Sequence, residues 1–211
     1  FVLSTILISN IYANSDCTPS KGCYQKFYIE SNFLQTYTNF SLKKKNNKIK
    51  QAIIVIHGTL RNGKDYFQSM QQAAQKQSKE SENLIIAPSF KRVDDSKENT
   101  EFYWGRKWYQ KWKYGYQSQG PSKISSFSVI DKLILYISNK KIYPNLKKIF
   151  LIGHSAGGQF IQRYAAGTII DKNISQKVIF VPSNPSSYLY LNDKRYQFIN
   201  GNYELNDLSS A

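Results

Sequence analysis

The sequence predicts an α/β fold, in which a mostly parallel sheet carries helices on both of its faces. Short apolar runs rich in β-branched residues alternate along the chain with segments of helical periodicity. The runs do not alternate between apolar and polar residues as half-exposed strands do. Continuous apolar runs are typical of strands buried in a parallel sheet. With 211 residues, 41% hydrophobic and 20% charged, the chain can build one core. This composition excludes global disorder, collagen-like repeats and a multi-span membrane protein.

The first predicted elements form a hairpin. Residues 25–30 and 33–40 have strand character, and the turn residues Ser31 and Asn32 lie between them. Residues 43–47, which are all lysine or asparagine, are expected to form a solvated loop.

Four further strands and three helices are predicted in alternation after this loop. The strands are expected at 52–56, 84–87, 148–152 and 178–181, and the helices at 66–77, 124–138 and 156–166. Because crossovers between parallel strands are right-handed, helices placed in this way cover the sheet on both faces.

The amino-terminal segment predicts secretion. Residues 1–9 are apolar and uncharged, and the small residue Ala13 precedes a polar stretch, as at a signal-peptidase site. We therefore expect a partial signal peptide at 1–13 and one domain at 14–211, since no initiator methionine precedes the apolar run. The alternatives are a short buried strand and a truncated membrane anchor. Stable membrane insertion is not expected, because a helix this short does not span about 30 Å of hydrocarbon.

Cysteine usage agrees with a secretory route. Cys17 and Cys23 are the only cysteines, and they could close a small disulfide loop in an oxidising compartment. A metal site would need more ligands, so we expect neither a metal nor another cofactor. Glycosylation sequons at Asn39 and Asn173 are compatible with the same route.

The chemistry concentrates at residues 153–157, which read Gly-His-Ser-Ala-Gly. This G-x-S-x-G pattern directly follows a predicted buried strand and directly precedes a predicted helix, which is the context that a nucleophile on a sharp turn requires. Gly153 and Gly157 would let the strand and the helix approach each other without Cβ clashes. The hydroxyl of Ser155 would then lie above the end of the sheet.

A second motif, His57-Gly58-Thr59, ends the earlier strand at 52–56. Acyl transfer needs two preorganised N–H groups aimed at the oxyanion, and the backbone N–H groups of Thr59 and Ala156 are the candidates. Gly58 would leave room for the close approach. We interpret His57 as a packing histidine that shapes this turn rather than as a general base, and we expect His154 to point away from Ser155.

These two motifs, HGTLRN at 57–62 and GHSAGGQF at 153–160, resemble the α/β-hydrolase superfamily. Residues 143–146 and 179–191 are similar to a secreted branch related in pattern to polyester depolymerases and feruloyl-type esterases. The resemblance covers residues 50–192. It implies that Ser155 is the nucleophile of a carboxylic-ester hydrolase acting on a small or polymeric ester, with Thr59 and Ala156 as the oxyanion hole.

The sequence departs from the superfamily because it lacks the histidine expected to act as general base. The triad of this fold runs in the order serine, acid, histidine, yet no histidine follows Ser155. Asp171, Asp193, Glu204 and Asp207 follow it, but none ends a recognisable further strand. We therefore expect that the C-terminal strands are missing, and that the chain is truncated before the acid and the histidine and is inactive and poorly stable by itself. The alternatives are a non-catalytic secreted binding protein and a basic polyanion-binding module.

A tryptophan-rich segment lies between the two motifs. Trp104, Trp108 and Trp112 are spaced four residues apart and interleaved with basic residues. One helical face could pack them into the body, or they could form a wall of the substrate site or a platform for stacked bases. The net charge of +15 favours weak attraction to polyanions. Only five of the 29 basic residues are arginine, so no specific nucleic-acid partner is expected.

Overall fold

The computed structural model describes residue 18 and residues 22–95, 97–106, 109–120 and 122–207. Every strand and helix predicted between residues 25 and 181 is present, with bounds that differ by at most three residues. The strands are β1 Cys23–Ile29, β2 Asn32–Thr38, β3 Gln51–Ile56, β4 Asn83–Pro88, β5 Lys148–His154, β6 Lys177–Ser183, β7 Lys194–Ile199 and β8 Asn202–Asp207. The α-helices are α1 Gly63–Lys76, α2 Ser126–Ile137 and α3 Ala156–Gly167, and 3₁₀ helices lie at Lys111–Tyr114 and Ile170–Asn173.

Six strands form one mixed sheet in the order β1-β2-β4-β3-β5-β6. The strands β4, β3, β5 and β6 are parallel, whereas β2 runs antiparallel to β4 and forms the predicted hairpin with β1. The fold is therefore α/β, as predicted. Parallel strands leave all their carboxyl ends at one edge of the sheet, where the two sequence motifs lie.

The side chains of β3 show how the helices cover both faces of the sheet. Ile54 and Ile56 are buried in the larger apolar cluster, which includes residues of α2 and α3. Val55, between them, points to the other face and packs in a cluster with Phe67 of α1. Successive strand residues alternate between faces, so one apolar strand supplies both cores.

The structure departs from the sequence prediction after β6. Strands β7 and β8 form a separate antiparallel pair, although no further strand was expected there. Polar residues interrupt the apolar ones in both strands, and most of their described side chains are exposed, so they lack the apolar runs on which the prediction relied. The sequence did contain a turn signal, since Asn-Gly is the preferred pair for a two-residue hairpin turn. In the structure Asn200 and Gly201 both adopt the positive φ that such a turn needs, at 50° and 86°.

The amino-terminal predictions fall largely outside the described residues. Residues 1–13 and Cys17 are not among them, so the signal peptide and the pairing of Cys17 with Cys23 stay predictions. Cys23 itself is disulfide-bonded. In the part of the chain that the structure describes, no helix is long and apolar enough to cross a bilayer.

Asn39 is a structural residue rather than an exposed glycosylation site. Its side chain is fully buried between β2 and β4. The amide Nδ2 donates to the carbonyl oxygen of Asn83 at 2.8 Å, and Oδ1 accepts from the backbone N–H of Ile85 at 2.8 Å. The other sequon residue, Asn173, is exposed.

We expect Asn39→Ala to lower the free energy of unfolding by about 2 to 4 kcal/mol, because it leaves a buried donor and a buried acceptor without partners. Asn173→Ala is the matched control and should change it by less than about 0.5 kcal/mol. Urea denaturation followed by circular dichroism measures both. Equal effects of the two substitutions would contradict the structural role of Asn39.

Candidate active site

The two sequence motifs meet at the carboxyl edge of the sheet. Strands β3 and β5 are neighbours, and Ile56 is the Cα partner of Gly153. The segments that follow, one with Thr59 and the other with Ser155, therefore leave the sheet side by side. This adjacency depends on the strand order and is not visible in the sequence.

Ser155 occupies a strained turn between β5 and α3. Its φ is 57° and its ψ is −119°, a conformation that residues with a side chain rarely adopt. The backbone N–H of Ser155 donates to the carbonyl oxygen of Ser183 in β6 at 3.1 Å, and its carbonyl oxygen accepts from the N–H of Gln159 at 2.9 Å. Among the described residues no group hydrogen-bonds to Ser155 Oγ, and the residue is partly exposed. The turn is fixed while its hydroxyl is available.

Three glycines make this turn possible. A Cβ on Gly153 would lie 2.3 Å from the carbonyl oxygen of Gly157, and one on Gly157 would lie 2.2 Å from the carbonyl oxygen of Ile56. A Cβ on Gly158 would lie 2.4 Å from the carbonyl oxygen of Ser183. The first turn of α3 therefore contacts the backbones of β3 and β6 directly, at distances that only glycine allows. Gly153 and Gly157 were predicted to support the turn, whereas the role of Gly158 was missed.

Two backbone N–H groups belong to the segments that leave the sheet side by side after β3 and β5. Ala156 is the first residue of α3, where N–H groups have no partner within the helix. Thr59 lies at the corresponding place after β3. Within the described residues, no hydrogen bond uses the N–H of either residue. Both groups are therefore free to bind an oxyanion.

The Thr59 turn is held by side chains that sequence reasoning missed. Gln110 Nε2 donates to Thr59 Oγ1 at 2.6 Å, and Arg61 donates to the carbonyl oxygen of Thr59 at 2.7 Å. Arg61 also forms a two-point ion pair with Asp95, at 2.7 and 2.9 Å. A Cβ on Gly58 would lie 2.7 Å from the hydroxyl of Tyr66, which explains the glycine there. Gln110 and Asp95 come from distant segments, so no local pattern marks them.

His57 is a buried structural histidine, as interpreted from the sequence. Its Nε2 lies 2.9 Å from the backbone N–H of Phe90, which can only donate, so Nε2 accepts. Nδ1 therefore carries the proton and donates to the carbonyl oxygen of Gly58 at 2.9 Å. Burial lowers the pKa of His57 from its ordinary value of 6.5 to about 4. The ring is neutral, and neither nitrogen is free to accept a proton from serine.

His154 lies on the opposite side of the turn from α3. Its Nδ1 is 3.5 Å from the hydroxyl of Tyr66 in α1, and it lines a cavity with Val55 and Met70 on the α1 face of the sheet. These two histidines are the only ones in the sequence. Neither is placed to deprotonate Ser155.

Among the described side chains, no carboxylate that follows Ser155 in the sequence hydrogen-bonds to it. Asp171 lies in the 3₁₀ helix beyond the far end of α3, about 18 Å along the helix from its first residue. Asp193 precedes β7, and Glu204 lies in β8, outside the main sheet. The side chain of Asp207 is not among those described. In the described part of the chain, no three His, Cys, Asp or Glu side chains lie together as metal ligands.

An open cleft of about 550 Å³ lies beside Thr59. It is large enough for the acyl or alcohol part of a small ester. Three of its lining side chains are cationic and none is a carboxylate. The lining residues are Thr59, Leu60, Arg61, Arg92, Tyr109, Gln110, Lys113 and Tyr114.

Trp104 and Trp112 do not form a wall of this cleft. Trp104 and Trp112 are fully buried. Trp104 Nε1 donates to the carbonyl oxygen of Ile124 at 3.2 Å, and Trp112 stacks on Phe90 with ring centroids 5.4 Å apart. Of the alternatives, packing is correct for these two, although a short 3₁₀ helix and isolated bridges replace the expected helical face. Trp108 lies outside the described residues.

Comparison with known proteins finds hydrolases of low similarity. No protein-family model matches the chain, and no curated protein matches it. Poly(aspartic acid) hydrolase-1 from Sphingomonas sp. KT-1 is 20% identical with a TM-score of 0.45, over 68% of this chain and 50% of its own. Siderophore hydrolase EstA from Aspergillus nidulans is 12% identical with a TM-score of 0.40, over 80% of this chain and 57% of its own. The BES protein from Bacillus cereus is 15% identical with a TM-score of 0.43, over 88% of this chain and 65% of its own. The chain thus spans less than two thirds of the length of each.

We expect Gly157→Ala to lower the free energy of unfolding by at least about 2 kcal/mol, because the new methyl group would overlap the backbone of β3. Gly167→Ala, in the same helix, has open space around the new Cβ and should stabilise the protein by up to about 1 kcal/mol. Thermal unfolding of the two variants measures the difference. Similar melting temperatures would show that α3 does not approach β3 so closely.

Burial of His57 predicts a loss of stability in weak acid. As the pH falls below 6.5, His57 becomes protonated in the unfolded chain, whereas in the folded chain it stays neutral until about pH 4. The free energy of unfolding should therefore fall by about 2 kcal/mol between about pH 7.5 and about pH 5. His57→Gln, which is less stable throughout, should lose correspondingly less over this range. Urea titrations at several pH values measure both slopes, and equal slopes would contradict a neutral buried His57.

Proposed function

We propose that the chain belongs to a secreted serine hydrolase that cleaves carboxylic esters through an acyl-enzyme on Ser155. The conformation of Ser155 carries this proposal. A serine at φ 57°, between a buried strand and a helix amino terminus, with an unpartnered hydroxyl, has backbone strain of the kind that clusters at active sites. Such a turn presents an oxygen nucleophile above the sheet.

The reaction follows from the groups around this serine. Ser155 Oγ attacks the ester carbonyl carbon, and the carbonyl oxygen becomes an oxyanion. The N–H groups of Thr59 and Ala156 donate hydrogen bonds to it, and loss of one such donor typically costs about 3 kcal/mol of transition-state stabilisation. Collapse of the tetrahedral intermediate expels the alcohol. Water then attacks the acyl-serine and releases the acid.

The proton of Ser155 needs a base other than the two histidines of this sequence. His57 uses both nitrogens in hydrogen bonds, and His154 faces α1. We therefore expect the 211-residue chain by itself to have a preformed nucleophile and oxyanion hole but no general base. Without a base, a serine hydroxyl is a poor nucleophile at neutral pH.

Two further parts of the proposal rest on the sequence. An ester substrate is favoured over an amide by the resemblance of residues 50–192 to the α/β-hydrolase superfamily. Secretion is favoured by the apolar segment at 1–13, and the disulfide-bonded state of Cys23 supports an oxidising compartment.

Imidazole in solution tests the proposal, because it can replace a missing base. We expect the 211-residue chain to hydrolyse p-nitrophenyl acetate no faster than its Ser155→Ala variant in plain buffer. With imidazole added, the parental chain should exceed the variant by about tenfold or more. Ser155→Ala in the same imidazole buffer corrects for hydrolysis by imidazole itself.

Ser31→Ala, in the exposed turn between β1 and β2, is the control for loss of a serine hydroxyl and should behave like the parental chain. Mass spectrometry of the quenched reaction should find the acetyl group on Ser155. Equal rates of the parental chain and Ser155→Ala in imidazole, with no acetylated serine, would refute the serine mechanism and favour the non-catalytic binding protein.

A further inference from the structure

Lysines gather at the edge of the sheet opposite Ser155, where β3, β5 and β6 begin. The backbone N–H of Lys147 donates to the carbonyl oxygen of Lys50 at 2.9 Å, and that of Lys177 donates to the carbonyl oxygen of Lys147 at 3.0 Å. Lys148 and Lys177 are Cα partners on neighbouring strands. Four lysines thus start three adjacent strands, within about 10 Å.

Two loops bring further lysines to this edge. The N–H of Asn46 donates to the carbonyl oxygen of Ile142 at 2.9 Å, and Asn145 Nδ2 donates to the carbonyl oxygen of Asn47 at 2.7 Å. These bonds join the loop before β3 to the loop before β5. We define the lysine face as the lysines of residues 43–50 and 140–148 together with Lys177, which are ten residues. All ten are exposed.

The lysine face has almost no compensating negative charge. Neither 43–50 nor 140–148 contains an acidic residue. Within the described residues, Lys50 is the one member of the face with a carboxylate inside 4 Å, that of Glu82 at 2.7 Å. Like charges on adjacent strands raise the free energy of the folded state. An anionic partner would lower it.

The composition of the lysine face selects the class of partner. It contains no arginine, and none of the exposed large apolar or aromatic side chains of the described residues falls within it. Nucleic-acid bases therefore have no aromatic side chain to stack on, and the face has no apolar side chain that could insert into a bilayer. Lysine ammonium groups act as point charges that respond to charge density. These features fit a polymer with dense sulfate or carboxylate groups and no bases.

We propose that the lysine face binds an acidic polysaccharide. The face and Ser155 lie at opposite ends of β5, a seven-residue strand about 20 Å long. A polymer held there leaves the cleft beside Thr59 open. The proposal does not depend on the activity of Ser155.

The test is binding of a fluorescent heparin oligosaccharide to the 211-residue chain, measured by anisotropy. We expect the triple variant Lys147→Gln, Lys148→Gln, Lys177→Gln to bind about tenfold or more weakly than the parental chain. The matched control, Lys64→Gln, Lys123→Gln, Lys132→Gln, removes three positive charges outside the lysine face. It should change the affinity for heparin less than about threefold. Binding of the parental chain should fall steeply with salt, and heparin should raise its melting temperature more than that of the triple variant.

Three results would overturn the proposal. Equal weakening by the two triple variants would mean that only the net charge attracts heparin. No binding at physiological salt would mean that the face has no such partner. Tighter binding to phosphatidylserine vesicles or to single-stranded DNA than to heparin would assign the face to a membrane or to nucleic acid.

Discussion

The close approach of α3 to the strand ends is the constraint on which the candidate site depends. Because Gly153, Gly157 and Gly158 have no Cβ, the first turn of α3 rests on the backbones of β3 and β6. The chain must then reverse sharply at Ser155, which forces its φ to 57°. The same approach sets Ala156 N–H beside the turn that carries Thr59. One steric condition therefore positions the proposed nucleophile and one half of the proposed oxyanion hole.

The neutral ring of His57 supports the turn that carries Thr59, the other half of the proposed oxyanion hole. It joins the carbonyl oxygen of Gly58 to the N–H of Phe90, so the ends of β3 and β4 are tied together through a group that carries no charge. Trp112 packs edge-on against this ring, with centroids 4.8 Å apart. A charged side chain here would destabilise the folded state, since buried charge without a partner is costly. A side chain without these two hydrogen bonds would leave the Thr59 turn unsupported. The histidine acts through rigidity and not through proton transfer.

The two edges of the parallel strands have different chemistry. At the carboxyl edge, glycines and short hydrogen bonds bring backbone groups into a small site with a strained serine. At the amino edge, backbone hydrogen bonds bring exposed lysines together. Parallel strands produce this separation because they send all their amino ends one way and all their carboxyl ends the other. A polymer held at one edge and a reaction at the other do not compete for space.

The sequence by itself determined the strands and helices of residues 25–181, the G-x-S-x-G turn at Ser155, and the structural role of His57. These features depend on local chemistry: periodicity, β-branched runs, and glycines at fixed offsets from a nucleophile. Only the tertiary structure decided that Trp104 and Trp112 are core residues, that Asn39 joins β2 to β4, and that Gln110 and Asp95 hold the Thr59 turn, Asp95 through Arg61. Each of these depends on contacts between segments far apart in the chain, which no local pattern encodes. The lysine face is of the same kind, because its charges are scattered in sequence and become neighbours only when parallel strands align their first residues.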